Sequence, residues 1–467
     1  MEAGTAAQTD AYSNKEAAMV NIHEWSKQAN IVADVLSRAP KIDKTLRVGR
    51  EEFQRRQKAV YQALAAAGFD GGIVYSDEHY HGDVPYLGGN TNISVEPVAG
   101  IVGKNGFAIL AGLEGCYVAE QLSPRSGCRV GRVEMLKLAD EEYPVDVERM
   151  EDVVEDICGG KPKALALLTP RAVMPVSIFE WFEGYVGKGN LRDAQEIYYK
   201  IKYEKSDIEM ELTRQAAKIS DVMVEAMLAV MKPGMLQTQV AQWGYAVASE
   251  LGAEELGFDV MVTSGEDNRS IIGKALNHVI REGDFVHVGV APTMDGLTAC
   301  ERCSVVCTGP NGQLTEAQKY WLDFVDNAYQ VGLDAYIRVA ENNLPAKLQE
   351  QALVDYFEQH RDEVSRRVGK PIDLAMLKPY TGTHNSGYTE CQEFYGAITL
   401  NSEEPLGNQI VMMLDVAARG FGSSWNDVII PEFDYVLVEK TLGKFGRRVE
   451  VLNDLPVRLQ HLVGAGY

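Results

Sequence analysis

The 467-residue chain carries 45 basic and 67 acidic side chains, a net charge of −22, which argues against a nucleic-acid partner because phosphate binding needs clustered Lys and Arg. Its 46% hydrophobic and 24% charged content suffices for soluble cores in more than one domain, and no apolar run approaches a membrane span. The first ten residues lack a basic start followed by an apolar stretch, so no secretory signal is expected, and seven cysteines without framework spacing fit a reducing cytoplasm.

Along the chain, a polar, Ala-rich extension over residues 1–45 holds a helix from Asn21 to Arg38. The spacing predicts an amphipathic helix over Arg50 to Ala67, then a turn at Asp70-Gly71-Gly72 into a strand. Strands at 100–102, 107–110 and 129–133, a helix at 145–158 and a strand at 164–168 complete an α/β unit over 46–190, and the charged segment 187–203 reads as a connection. The second domain, 200–450, opens on Ser206 and Glu209, a capping box before a long helix that stops at Lys232-Pro233-Gly234. A helix over 237–251 ends at Gly252, strands follow at 258–263 and 284–307, and Thr315 to Gln318 forms a second capping box. Its helix runs to about 341, Pro345 starts another to about 366, and residues 379–440 are strand-rich.

Four segments carry chemistry: Gly283-Asp284-Phe285-Val286-His287-Val288-Gly289, Gly382-Thr383-His384-Asn385-Ser386-Gly387, Met413-Leu414-Asp415, and Asp434-Tyr435-Val436-Leu437-Val438-Glu439. A histidine on an apolar strand is in general more often a hydrogen-bonded core residue than a ligand. Glu301, in an otherwise apolar strand, needs a partner because an unpaired buried carboxylate is costly; structural pairing with Arg302 is the bland reading. Cys300, Cys303 and Cys307 read as packing thiols, since alternation along a strand turns Cys300 and Cys303 to opposite faces.

In order and context these segments resemble the pita-bread family of creatinases, aminopeptidases P and methionine aminopeptidases. The resemblance implies an N-terminal ribonuclease-H-like creatinase domain, a C-terminal pita-bread α+β domain, and a homodimer with a shared active site. Metal-dependent members hold two ions with two aspartates, a histidine and two glutamates. Here those positions fall at His287, at Ala299 or Cys300, at His384, at Asp415, and at Phe433 (Asn426 in another register). Too few are ligands, so no metal and no cofactor are expected; a zinc site from His287, His384, Cys300, Cys391 and Asp415 is the alternative.

The pattern then resembles creatinase, the metal-free member, with Cys300-Glu301-Arg302 at the place of its Leu-Glu-Arg run. The resemblance implies that Glu301, Asp415 and Glu432 cradle a small cationic or zwitterionic substrate, with Arg302 and Cys391 beside them. Glu301→Gln is then expected to abolish turnover. His384 or His287 would move protons. The edge at Pro85-Tyr86-Leu87-Gly88-Gly89 offers His79, His81, Tyr86 and Asn90 as further substrate contacts. The implied function is a metal-independent hydrolase of a C–N bond in a guanidino, amidine or amino-acid-like substrate. A lyase acting on a zwitterion, a metal-dependent Xaa-Pro-type peptidase and a non-catalytic binding protein remain open.

Overall fold

The computed structural model describes residues 21–138, 142, 144–310, 312–378, 382–390, 395–424 and 426–467. Two sheets organise them. The first has six strands, β1 (Gly71–Ser76), β2 (Val98–Gly103), β3 (Gly106–Ala111), β4 (Arg129–Arg132), β5 (Leu165–Leu167) and β6 (Leu191–Asp193), in the order β4-β3-β2-β1-β5-β6. β1, β2 and β3 pair antiparallel, whereas β4, β5 and β6 join in parallel. The parallel joins need crossover helices, which Gly115–Leu122, Met150–Cys158 and Val176–Val186 supply. Residues 187–203 are more than a connection: Leu191 is buried in β6, and the Gln195–Tyr203 helix turns Tyr198 and Tyr199 into the core.

The second sheet is antiparallel throughout. Its strands are β7 (Met261–Ser264), β8 (Phe285–Val290), the short hairpin β9 (Thr293–Met294) and β10 (Leu297–Thr298) that leads on to β11 (Glu301–Val306), then β12 (Thr383–Asn385), β13 (Gln409–Arg419), β14 (Tyr435–Phe445) and β15 (Arg448–Val451). The order is β12-β13-β14-β11-β8-β7, with β15 beside β14 and the β9–β10 pair separate. Side chains alternate across each strand. Val286, Val288 and Val290 of β8, Cys303 and Val305 of β11, and Met412, Leu414 and Val416 of β13 therefore all sit in the hydrophobic core on one face. The intervening positions point the other way, and that opposite face is where polar side chains collect.

Two helix pairs cover the apolar face. The Asp207–Val230 helix starts on the expected capping box, with the Ser206 amide donating to Glu209 at 2.8 Å. It packs against Gln237–Leu251, which ends at Gly252 with φ +96°, a left-handed conformation that favours glycine. Glu316–Asn342 opens on Thr315, whose hydroxyl accepts from the Gln318 amide at 3.2 Å, and it pairs with Lys347–Val368. The helix nearest the N-terminus, Ile22–Ser37, buries Ile31, Val32 and Val35 in the same core as the Asp207–Val230 helix. Trp243 Nε1 donates to Gln28 at 3.0 Å. No helix among the described residues is long and apolar enough to cross a membrane.

Candidate active site

A cavity of about 610 Å³ opens on the polar face of the second sheet, lined by His81, Arg269, Ile271, Arg302, His384, Glu390, Asp415, Arg419 and Tyr435 among others. A roomier opening of about 680 Å³ around Lys58, Lys104 and Arg129 has no histidine and no buried carboxylate in its wall. The sheet cavity therefore holds the better chemistry.

Register assembles its floor. β13 and β14 pair so that Asp415 lies directly opposite Glu439, and β12 sets His384 opposite Met413. His384 Nε2 lies 3.3 Å from Glu439 and 3.6 Å from Glu390. Burial alone would lower the His384 pKa; the hydrogen bond to Glu439 and the charges of Glu390 and Asp415 overrule it and push it up to about 10. Burial would likewise raise Glu439, but the Arg302 and His384 cations hold it well below the usual carboxylate range.

Arg302 ties the floor together. Its Nη1 lies 3.0 Å from Glu439 and 3.3 Å from Asp415, its Nη2 donates to the Ile271 carbonyl at 2.5 Å, and its Nε donates to His287 Nε2 at 3.2 Å. His287 is fully buried and is not part of the cavity wall. Burial, reinforced by the adjacent guanidinium, pushes its pKa well below the ordinary value, so it accepts from Arg302 as a neutral ring. That placement makes it a support for Arg302 and removes it from proton transfer to a bound substrate.

Several expected site residues lie elsewhere. Glu301 precedes Arg302 on an extended strand and so faces the opposite side of the sheet. There it pairs with Lys440, its cross-strand neighbour, and both are essentially inaccessible. Burial, and then the nearby Glu301, push Asp221 on the Asp207–Val230 helix up to about 9. Glu301 therefore belongs to a structural clasp behind the site. Glu301→Gln and Glu301→Ala are now expected to act on stability, because they leave Lys440 buried without its counter-ion, a cost of roughly 3–5 kcal/mol. The checks are the urea midpoint and, separately, the turnover of the folded fraction.

Glu432 accepts from Trp321 Nε1 at 2.6 Å and from Arg367 Nε at 2.7 Å, beside the Glu316–Asn342 helix and away from the cavity. Phe433 packs on Trp321 with ring centroids 4.3 Å apart, and Asn426 is exposed. The late glutamate that reaches the site is Glu439. Of the N-terminal candidates, His81 alone is in the cavity wall, and it comes from the same chain. His79 is exposed, Asn90 is buried elsewhere, and the Tyr86 ring lies 4.4 Å from the Arg56 guanidinium at the junction between the two sheets. Cys391 lies outside the described residues. The sequence reading missed Glu390, Arg419, Tyr435 and Glu439. For Glu439 a signal existed, since Glu439-Lys440 interrupts an apolar strand.

Comparison with known proteins supports the fold. Residues 211–388 match the model of Metallopeptidase family M24. The fold aligns with the Xaa-Pro dipeptidase from Bacillus anthracis at a TM-score of 0.64 and 17% identity, over 87% of this chain and 99% of that one. The C-terminal domain has the pita-bread fold. Two curated Bacillus subtilis proteins are similar to this chain in sequence. "Uncharacterized peptidase YqhT" is 21% identical over 234 residues, 50% of this chain, and "Putative dipeptidase YkvY" is 25% identical over 198 residues, 41% of this chain. The matched stretches span 64% and 53% of those relatives, less than two thirds of either.

M24 pita-bread domains imply a pair of divalent ions, and the donor set here can be tested against that. On the cavity face β8 presents His287 and Gly289, and β11 presents Arg302 and Ser304. Neither strand offers a carboxylate, so the pair of aspartates that the resemblance calls for is missing. Asp415 and Glu439 are both engaged by a fixed guanidinium. Two hard cations need more oxygen ligands and no resident positive charge. The pita-bread site of this chain does not fit two metal ions.

Proposed function

We propose that the chain is a metal-independent hydrolase that cuts a C–N bond of a small, amino-acid-like or amidine-like substrate. The observation that carries this reading is His384 at the cavity wall, set between Glu439 and Glu390. A histidine with a pKa of about 10 is protonated at neutral pH and suited to give its proton to a departing nitrogen. Glu390, also in the wall, is placed to take a proton from water as its oxygen adds to the carbonyl or amidine carbon. When the C–N bond breaks, the His384 proton goes to the nitrogen, and the proton held by Glu390 returns to His384. Arg269 and Arg419 share the wall with Glu390 and Asp415, a mixture of charges that suits a zwitterion.

The names of the M24 relatives favour a second reading, peptide-bond hydrolysis at a proline. It uses the same leaving-group chemistry but requires metal. Turnover of guanidino, amidine and Xaa-Pro substrates after exhaustive dialysis against EDTA separates the two. We expect activity to survive the chelator unchanged; activity lost with EDTA and restored by Mn²⁺ or Zn²⁺ defeats the metal-free reading.

A further inference from the structure

The Arg302 guanidinium is accounted for almost completely. Of its five N–H donors, Nε serves His287, Nη1 serves both Asp415 and Glu439, and one on Nη2 serves the Ile271 carbonyl. A side chain so committed is poorly placed to bind substrate. It is well placed to hold two carboxylates together at the centre of the sheet. Oxygen and nitrogen atoms of His384, Asp415 and Glu439 already lie within 4.8 Å of one another, a spacing that one divalent ion can bridge.

We infer that Arg302 is a built-in cation standing in the seat of a divalent ion, and that His384, Asp415 and Glu439 form a latent divalent-cation site kept closed by its guanidinium. Three observations support this. Arg302 is 6% exposed and its carboxylate partners 3% and 0%, so water screens the pairing little. Gly289 sits directly across the strand from Arg302, and a Cβ there would meet Arg302 Cγ at 3.0 Å and His287 Nε2 at 3.2 Å. A side chain at that position would crowd the arginine stem, so glycine leaves its path clear. Finally, His287 presents its Nε2 to Arg302 Nε, an acceptor where a second guanidinium or ammonium would repel.

This inference rests on the metal-free half of the proposed function, and its test reads binding rather than turnover, so the two can fail separately. The full chain and its Arg302→Ala and Arg302→Met variants would be titrated with Mn²⁺ by calorimetry, with thermal unfolding followed with and without the ion. Arg302→Ala removes the stem, and Arg302→Met retains its volume without charge. We expect no saturable Mn²⁺ site in the wild type, and about one ion per variant chain, as three N/O donors plus water allow. Bound Mn²⁺ should raise the unfolding temperature of the variants only, and adding Asp415→Asn should abolish the gained site. Saturable Mn²⁺ binding by the wild type, or none by either variant, overturns the inference.

Discussion

His384→Ala is expected to lower kcat by about 10²–10⁴-fold, the usual worth of a positioned acid or base, while the fold is retained. The side chain is 22% exposed at the cavity wall. Under the proposed mechanism its protonated form is the active one, so wild-type activity should fall as pH rises through about 10, and His384→Ala should flatten that limb. Stability should follow the same group. The folded-state pKa lies above the ordinary histidine value of about 6.5. The stabilisation is therefore fully present below about 6.5 and lost as pH climbs through about 10. Steady-state rates and urea midpoints measured from pH 6 to 11 check both, on the same samples. A variant that keeps wild-type kcat would remove His384 from the chemistry.

A large loss of stability is expected at Arg56→Ala. Arg56 is fully buried where the Arg50–Ala66 helix meets the second domain. It bonds Glu52 at 2.8 Å, Glu209 at 3.1 Å, the Tyr86 carbonyl at 3.0 Å and the Tyr388 hydroxyl at 2.9 Å. Truncation leaves Glu209, itself inaccessible, as an uncompensated buried charge, which costs roughly 3–5 kcal/mol. Arg56→Lys should recover only part of it, since an ammonium cannot reproduce the fork that reaches four partners. Denaturant melts of the two variants test this. Equal stability of Arg56→Ala and wild type would mean that the cluster contributes nothing net.

Much of the fold was legible because it rests on local rules. Val286, Val288 and Val290 alternate as a half-buried strand must, and the capping boxes at Ser206 and Thr315 start their helices as expected. His384 and Asp415, which share one cavity wall, were also singled out from short motifs. The errors came from facing and register. Alternation had already separated Cys300 from Cys303, and the same rule puts Glu301 and Arg302 on opposite faces; the sequence does not say which face holds the cavity. Which late acidic residue meets Asp415 is fixed by pairing across the 420–434 connection, a non-local choice. Glu439 is therefore identified by the ladder, whereas a local motif count points to Phe433. Glu390 reaches His384 through the path of a loop, which strand periodicity does not describe.

The contact between Arg56 and Tyr388 has a practical consequence for anyone trimming this protein. Tyr388 stands two residues before Glu390, and His81 from the first domain closes part of the same cavity wall. A fragment beginning near residue 205 would keep all six strands of the main second-sheet ladder and both of its helix pairs. It would nevertheless lose the clamp on the loop that carries Glu390, together with the part of the cavity wall that His81 supplies. Under the proposed function, a minimal active fragment has to include the first domain.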